Sequence, residues 1–324
     1  MNIKNFQLAK YEFSIVPEDE LELPPYKGST LRGGFGSVFR KISCLDKKLI
    51  TCKRCLLKDK CPYSYIFETS PRPDSNFLKN LEDIPRPFII EPPLDDKTLF
   101  TNAETIKFTL ILIGRAVEFL PYFIVTFKEL GKEGIGKGRK KFKLVEIRSI
   151  YLKNANQEII YSSRDQLIKN LDRRFTWADL INSYLADNNV LKTKWISVKF
   201  LTPTRLKYKD EFVSLPEFHI VFRALLRRIA NLAHFHCGET LNIDFNSLIR
   251  RATKIKIEEA NVNWVDWERY SFAQGTKMKM GGFVGQVRYK GDLETFLPFL
   301  LLGEYVHVGK GATFGLGWYR LTAN

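Results

Sequence analysis

Residues 309–319 read Gly-Lys-Gly-Ala-Thr-Phe-Gly-Leu-Gly-Trp-Tyr. The apolar run before them, Leu293–Leu302, reads as a helix, and the residues after them read as a strand. That order decides the fold. A dinucleotide fingerprint needs a strand before its glycines and a helix after them; here a helix precedes, and only 7 residues follow Gly317. A phosphate-binding loop needs Gly-Lys-Ser/Thr opening a helix, and that triplet is absent here. Two readings remain. One is a helix-to-strand loop whose uncovered amides cradle a phosphate chain; the other is a tight loop packed on its neighbour.

Upstream the same grammar appears twice. In the first half Gln7–Val16 reads as a strand and Gly28–Ile42 as a helix, with Leu31, Phe35, Val38, Phe39 and Ile42 at helical spacing. Ser29 or Thr30 would cap that helix. Gly33, Gly34 and Gly36 predict that something packs closely on it. After a proline-rich stretch, Pro71–Pro93, come a strand at Thr105–Ile113, a helix at Ala116–Leu130, a glycine-rich turn at 134–139 and a strand at Phe142–Tyr151. In the second half the series is a strand at Trp195–Leu201, a helix at Pro216–Leu232, strands at Lys254–Glu259 and Gly282–Tyr289, then the helix and loop above. The pattern predicts an α+β protein of two tandem ferredoxin-like (RRM-like) βαββαβ domains, at 1–152 and 193–324, joined by a polar connector at 153–192. A cysteine-rich insertion, 44–61, lies in the first domain.

Composition points to a partner class. Lys and Arg number 51 against 36 Asp and Glu, a formal net charge of +15, in a chain of 324 residues. Apolar residues make up 44% and include 25 Phe, enough for real cores and against a disordered chain. Such a basic globular chain suits a polyanion, nucleic acid before anionic lipid. No apolar run approaches ~18 residues, so no membrane partner is expected. The N-terminus lacks the apolar core of a signal peptide, and a cytoplasmic protein is the expectation. Lys137 and Arg139 in the first loop and Lys310 in the second favour RNA contact for both, with Gly309, Gly311, Gly315 and Gly317 opening the backbone.

Cys44, Cys52, Cys55 and Cys61 fall together, while Cys237 stands apart. In a reducing compartment a clustered quartet suits a metal better than disulfides. Cys52-x-x-Cys55 is half of a zinc knuckle; structural zinc, an iron–sulfur cluster and unligated thiols are the three readings. Of the histidines, His219, His234 and His236 lie on one helix and suit structural tasks, and His307, two residues before the loop, is best placed for chemistry. Trp264, Trp267 and Tyr270 serve either base stacking or core packing.

Several motifs carry a family resemblance in order along the chain. Residues 309–319 resemble the C-terminal glycine-rich signature of the CRISPR repeat-processing endoribonucleases of the RAMP superfamily. Residues 25–36, Pro-Tyr-Lys-Gly-Ser-Thr-Leu-Arg-Gly-Gly-Phe-Gly, resemble the first-helix motif of a cysteine-containing branch, as does Cys61-Pro62-Tyr63. Thr202-Pro203-Thr204-Arg205-Leu206 resembles the opening of its second domain. The resemblance implies binding of CRISPR repeat RNA and cleavage of precursor CRISPR RNA with no metal or other cofactor in the chemistry. The ribose 2′-hydroxyl would attack its own phosphate, leaving a 2′,3′-cyclic phosphate and a 5′-hydroxyl. Many relatives carry a histidine on the first helix; the matching position here is Ser37. Tyr26, Lys27, Arg32, Ser37 and Lys41, with His307 from the other half, are therefore the catalytic candidates. The alternative is a catalytically inactive RAMP protein that binds guide RNA in a CRISPR effector complex.

Overall fold

The computed structural model describes residues 5–45, 52–69, 84–152, 157–169, 173–187, 194–271 and 276–322. The described residues form two compact units, one within 5–175 and 231–239, the other within 176–230 and 240–322.

The first unit is built on β1 (Gln7–Pro17), a central strand whose inward residues Ala9, Tyr11, Phe13 and Ile15 are buried. It pairs antiparallel with β3 (Ile106–Ile113) on one side and β4 (Phe142–Ile150) on the other. Outside these lie β2 (Phe88–Glu91) and β5 (Glu158–Ser162), giving the order β2-β3-β1-β4-β5. Two helices supply the second layer, α1 (Gly28–Ser43) and α3 (Leu120–Glu133), with the short α2 (Pro62–Ile66) between them in sequence. Without β5, this is the ferredoxin-like order.

Phenylalanine holds these layers together. Phe35 of α1 stacks on Phe123 of α3 with centroids 4.6 Å apart and planes 8° from parallel, and Phe13 stacks on Phe108 across the β1–β3 pair. Each fully buried ring contributes roughly 2–3 kcal/mol of apolar burial. The helix glycines allow the close approach: a Cβ on Gly36 would lie 2.1 Å from Phe67 Cζ, and one on Gly34 3.0 Å from Leu130 Cδ1. Gly33 faces open space. The helix departs from its sequence reading at both ends. Lys27, not Ser29 or Thr30, sits at the N-cap, and Ile42 is exposed because the buried stripe ends at Phe39.

In the second unit β6 (Trp195–Thr204) is the central strand, flanked by β10 (Gly282–Lys290) and β11 (Tyr319–Thr322), with β9 (Lys256–Val265) at the edge. The order β9-β10-β6-β11 repeats the order of the first four strands in the first unit. Its helices are α4 (Trp177–Asp187), α5 (Phe218–Cys237), whose residues 231–237 belong to the first unit, α6 (Phe245–Ala252) and α7 (Leu297–Val306). A two-residue hairpin, β7 (Lys207–Tyr208) and β8 (Glu211–Phe212), follows β6. Helix α7 lies so close to β11 that a Cβ on Gly303 would fall 1.9 Å from Tyr319 Oη, and that hydroxyl donates to Leu300 O at 2.7 Å. The two halves are thus tandem α+β units of one topology. Among the described residues no helix is long and apolar enough to cross a membrane.

Candidate nucleic-acid interface and catalytic residues

On α1 the side chains divide sharply by environment. Lys27 is fully buried, and its ammonium donates to Pro25 O at 3.1 Å, Asp95 O at 2.7 Å and Asp95 Oδ1 at 3.2 Å. Its charge is committed inside the fold. Tyr26 is half-buried, and burial pushes its phenol far above the ordinary range, so it holds its proton tightly. The Arg32 guanidinium lies 4.0 Å over the Phe67 ring. Lys41 pairs with Glu133 at 2.6 Å near the surface, an interaction worth at most ~1 kcal/mol in water. Ser37 is exposed.

His307 belongs to the second unit and is fully buried. It caps α7 with φ 60°, its Nδ1 lies 3.1 Å from Leu316 O, and its ring stacks on Trp318 with planes 4° apart. A backbone carbonyl only accepts, so Nδ1 carries the proton in that bond. This environment gives His307 a task in shaping the loop that follows.

The loop at 309–317 has an outer and an inner part. Gly309, Lys310 and Gly311 form the outer end, where only Lys310 is exposed, while residues 312–317 are buried. Lys310 N donates to Arg205 O at 3.1 Å and Gly317 N to Pro203 O at 3.1 Å, so the loop is bonded along the end of β6. Gly309, Gly311, Gly315 and Gly317 all have positive φ, between 69° and 87°. In the first unit the turn at 134–139 occupies the same helix-to-strand position. There Lys137, Gly138 and Arg139 are all exposed, and Lys137 pairs with Glu22 at 3.0 Å.

Beside the second loop the structure gathers Arg205 of the Thr202–Leu206 motif and Trp264 with two residues the sequence reading missed, Lys207 and Phe212. Arg205 lies 4.1 Å over the Phe212 ring, Lys207 lies 5.3 Å over it, and Phe212 sits 6.3 Å from Trp264. Both aromatics are more than a third exposed, and Asp266 accepts from Trp264 Nε1 at 2.8 Å, fixing the indole. The signal was basic and aromatic residues mixed along 205–212. It was hidden because the Lys209–Asp210 turn has positive φ at both residues without the Asn-Gly or Asp-Gly sequence that marks such hairpins. The side chain of Tyr270 lies outside the described residues.

Cys44, Cys52, Cys55 and Cys61 line one cavity of about 220 Å³, together with Arg40, Lys58 and Lys60. Burial pushes the Cys52 thiol up to about 11, Glu68, Cys61 and Cys44 add to the rise, and Arg40 opposes it. None of the four is in a disulfide among the described residues. Among the described residues no three His, Cys, Asp or Glu side chains are arranged to hold a metal, so the expected zinc has no structural support. The thiols share a cavity but not a coordination geometry. His236 is buried at the end of α5, with Tyr65 Oη 3.2 Å from Nδ1 and Pro85 O 2.8 Å from Nε2. Burial lowers the pKa of His234.

Against known proteins, residues 6–173 match the AF_1859 N-terminal domain model, and residues 198–319 match the model of the CRISPR-associated endoribonuclease Cas6. The chain belongs to the AF_1859 N-terminal-domain family, and its segment 198–319 is similar to the Cas6 endoribonuclease model. An uncharacterized protein of Archaeoglobus fulgidus is 24% identical to this chain over 314 residues, covering 93% of each. A Cas6 product complex matches in fold with a TM-score of 0.59 at 14% identity, over 97% of this chain and all of that one. Thermus thermophilus Cas6 gives 0.55 at 14% identity, over 98% and 99% of the two chains. A partial Cas6-RT-Cas1–Cas2 complex gives 0.58 at 12% identity, over 98% of this chain and 46% of that one.

Proposed function

We propose that this chain is an endoribonuclease that binds CRISPR repeat RNA and cuts precursor CRISPR RNA without a metal in the chemistry. The carrying observation is the Cas6 match over 198–319, a segment that ends in the basic glycine-rich loop beside the exposed Phe212 and Trp264. In this reading the 2′-hydroxyl forms a bond to its own phosphorus, the bond to the 5′-oxygen breaks, and a 2′,3′-cyclic phosphate and a 5′-hydroxyl result. The proton of the attacking hydroxyl must leave and the departing oxygen must gain one. Cations offset the phosphorane charge. On the first helix Arg32 and Lys41 supply positive charge and Ser37 offers an exposed hydroxyl. Serine alone does not replace imidazole as an acid–base group, so positioning and charge carry the rate and turnover is slow.

The second reading, a non-catalytic RAMP protein that holds guide RNA in an effector complex, is favoured by a specific observation. Tyr26 holds its proton tightly, Lys27 is buried on Asp95, and His307 is buried against Leu316 and Trp318. None of these three is a ready base. Repeat-containing RNA incubated with the protein in EDTA separates the two readings. Site-specific cutting to a cyclic phosphate supports the nuclease; tight binding of intact RNA supports the guide-binding protein.

A further inference from the structure

A large cavity of the first unit lies away from α1. It encloses about 940 Å³, near the top of the ~300–1,000 Å³ range of sites that hold small organic ligands. Lys58 and Lys60 line it from the cysteine-rich segment, Tyr65 from α2, Arg115 and Phe119 from the turn after β3, and His234 from the end of α5. Tyr65 and Phe119 form a tilted aromatic pair, 5.3 Å between centroids, and the Arg115 guanidinium sits 5.4 Å from the first ring and 5.8 Å from the second. The hydroxyl of Tyr65 meets His236, whose other nitrogen donates to Pro85 O, so this aromatic wall is held from behind. Asp59 and Glu118 also line the cavity, and Glu118 lies 3.8 Å from Arg115. With Arg174, four fixed cations face two carboxylates.

An aromatic face beside a cluster of cations is the arrangement that takes a nucleotide, the base stacking and the phosphate meeting ammonium groups. We propose that this cavity binds one single-stranded nucleotide unit of RNA, its base on the Tyr65–Phe119 face and its phosphate at Lys58 and Lys60. The inference rests on the RNA-binding reading above and adds a contact in the first unit, on residues that neither the α1 motif nor the glycine-rich turns include. It also gives the basic side chains of the cysteine-rich segment a use that needs no metal.

The test uses the full chain, hexauridylate as the binding probe and repeat RNA carrying single 4-thiouridines as the crosslinking probe. K58A/K60A and Phe119→Leu are each expected to weaken hexauridylate binding about tenfold. The double variant should also lower the salt slope by about 0.7 for each phosphate it no longer neutralises. At one thiouridine position, crosslinked peptides should contain Tyr65 or Phe119. Thermal melts matching the wild type show that both variants fold, and should Phe119→Leu fold poorly, the surface double variant and the crosslink still decide. Unchanged affinity in K58A/K60A, or crosslinks confined to other peptides, overturns the proposal. Uridine 5′-monophosphate binding while hexauridylate does not would mark a free-nucleotide site and overturn the RNA assignment. EDTA cleavage assays on the same proteins keep the two readings apart. Wild-type cutting with no cavity crosslink sinks only the cavity, whereas a cavity crosslink without cutting sinks only the nuclease.

Discussion

In the loop at 309–317 a Cβ on Gly317 would stand 1.8 Å from Val308 O, whereas in the loop at 134–139 a Cβ on Gly138 would meet nothing nearer than Lys140 Cε at 4.0 Å. Both loops join a helix to the last strand of a βαββαβ series, and both hold glycines at positive φ. The first loop ends in an open tip of Lys137, Gly138 and Arg139. In the second, residues 312–317 are packed away and Lys310 alone projects. Glycine in the second loop therefore serves backbone packing first, and the part left open around Lys310 is short. The packed-loop reading holds for residues 312–317, and any phosphate contact would fall to the Lys310 end.

The largest effect should come from that packing. Gly317→Ala combines a left-handed backbone with a carbonyl in the way and is expected to cost about 3 kcal/mol or more. Gly138→Ala meets only the conformational penalty, about 1 kcal/mol. Denaturant melts of the two variants compare them directly, and equal losses would break the distinction.

A second contrast lies within the first unit, whose cysteine-rich segment has no counterpart among the described residues of the second. A thiol raised to about 11, as at Cys52, stays protonated at pH 8, and its thiolate fraction grows tenfold per pH unit until the pH passes that value. Only the thiolate alkylates, so Cys52 should react with iodoacetamide at pH 8 roughly 100-fold more slowly than an ordinary cysteine of a model peptide. Peptide mass spectrometry over pH 8–10 follows the rise; fast labelling of Cys52 at pH 8 would contradict its half-buried, like-charged surroundings.

The third effect concerns proton transfer. If α1 presents the reacting phosphate, Ser37→His places an imidazole at an exposed position of that helix and should raise single-turnover cleavage about tenfold or more, with a rate that follows imidazole titration. An unchanged rate would place the reacting phosphate elsewhere.

The alternation of Phe108 with Leu110 and the spacing from Phe218 to Leu232 made the central strands and helices legible, because each buries one face against one layer. Strand β2 was not legible. Phe88–Glu91 is buried on both faces, shows no alternation and sits among Pro85, Pro87, Pro92 and Pro93. Helix α6 escaped notice because its surface is polar, and its Asp244 cap, which accepts from Ser247 N at 2.9 Å, is a local signal that hydrophobic spacing does not report. At the site, residue type was legible and burial was not. Lys27 and His307 read as reactive groups until the fold gave one to Asp95 and the other to Leu316. Arg205 read only as part of a family motif, and Lys207 and Phe212 as an ordinary stretch, until a hairpin gathered them beside the loop.

The smallest effect separates the two lysines at the loop tips. Lys137 is already paired with Glu22, so contact with a phosphate would mean exchanging one anion for another. Lys310 has no ion-pair partner among the described residues, and its backbone is pinned to the carbonyl of Arg205, the residue whose guanidinium covers the Phe212 ring. Lys310→Ala should therefore weaken RNA binding several-fold and reduce the salt slope by about 0.7, the value for one single-strand phosphate. Lys137→Ala should change both by less. Affinities measured at three or more salt concentrations yield the slopes. A larger loss from Lys137→Ala would reverse the comparison and make the open tip of the first loop the principal phosphate contact.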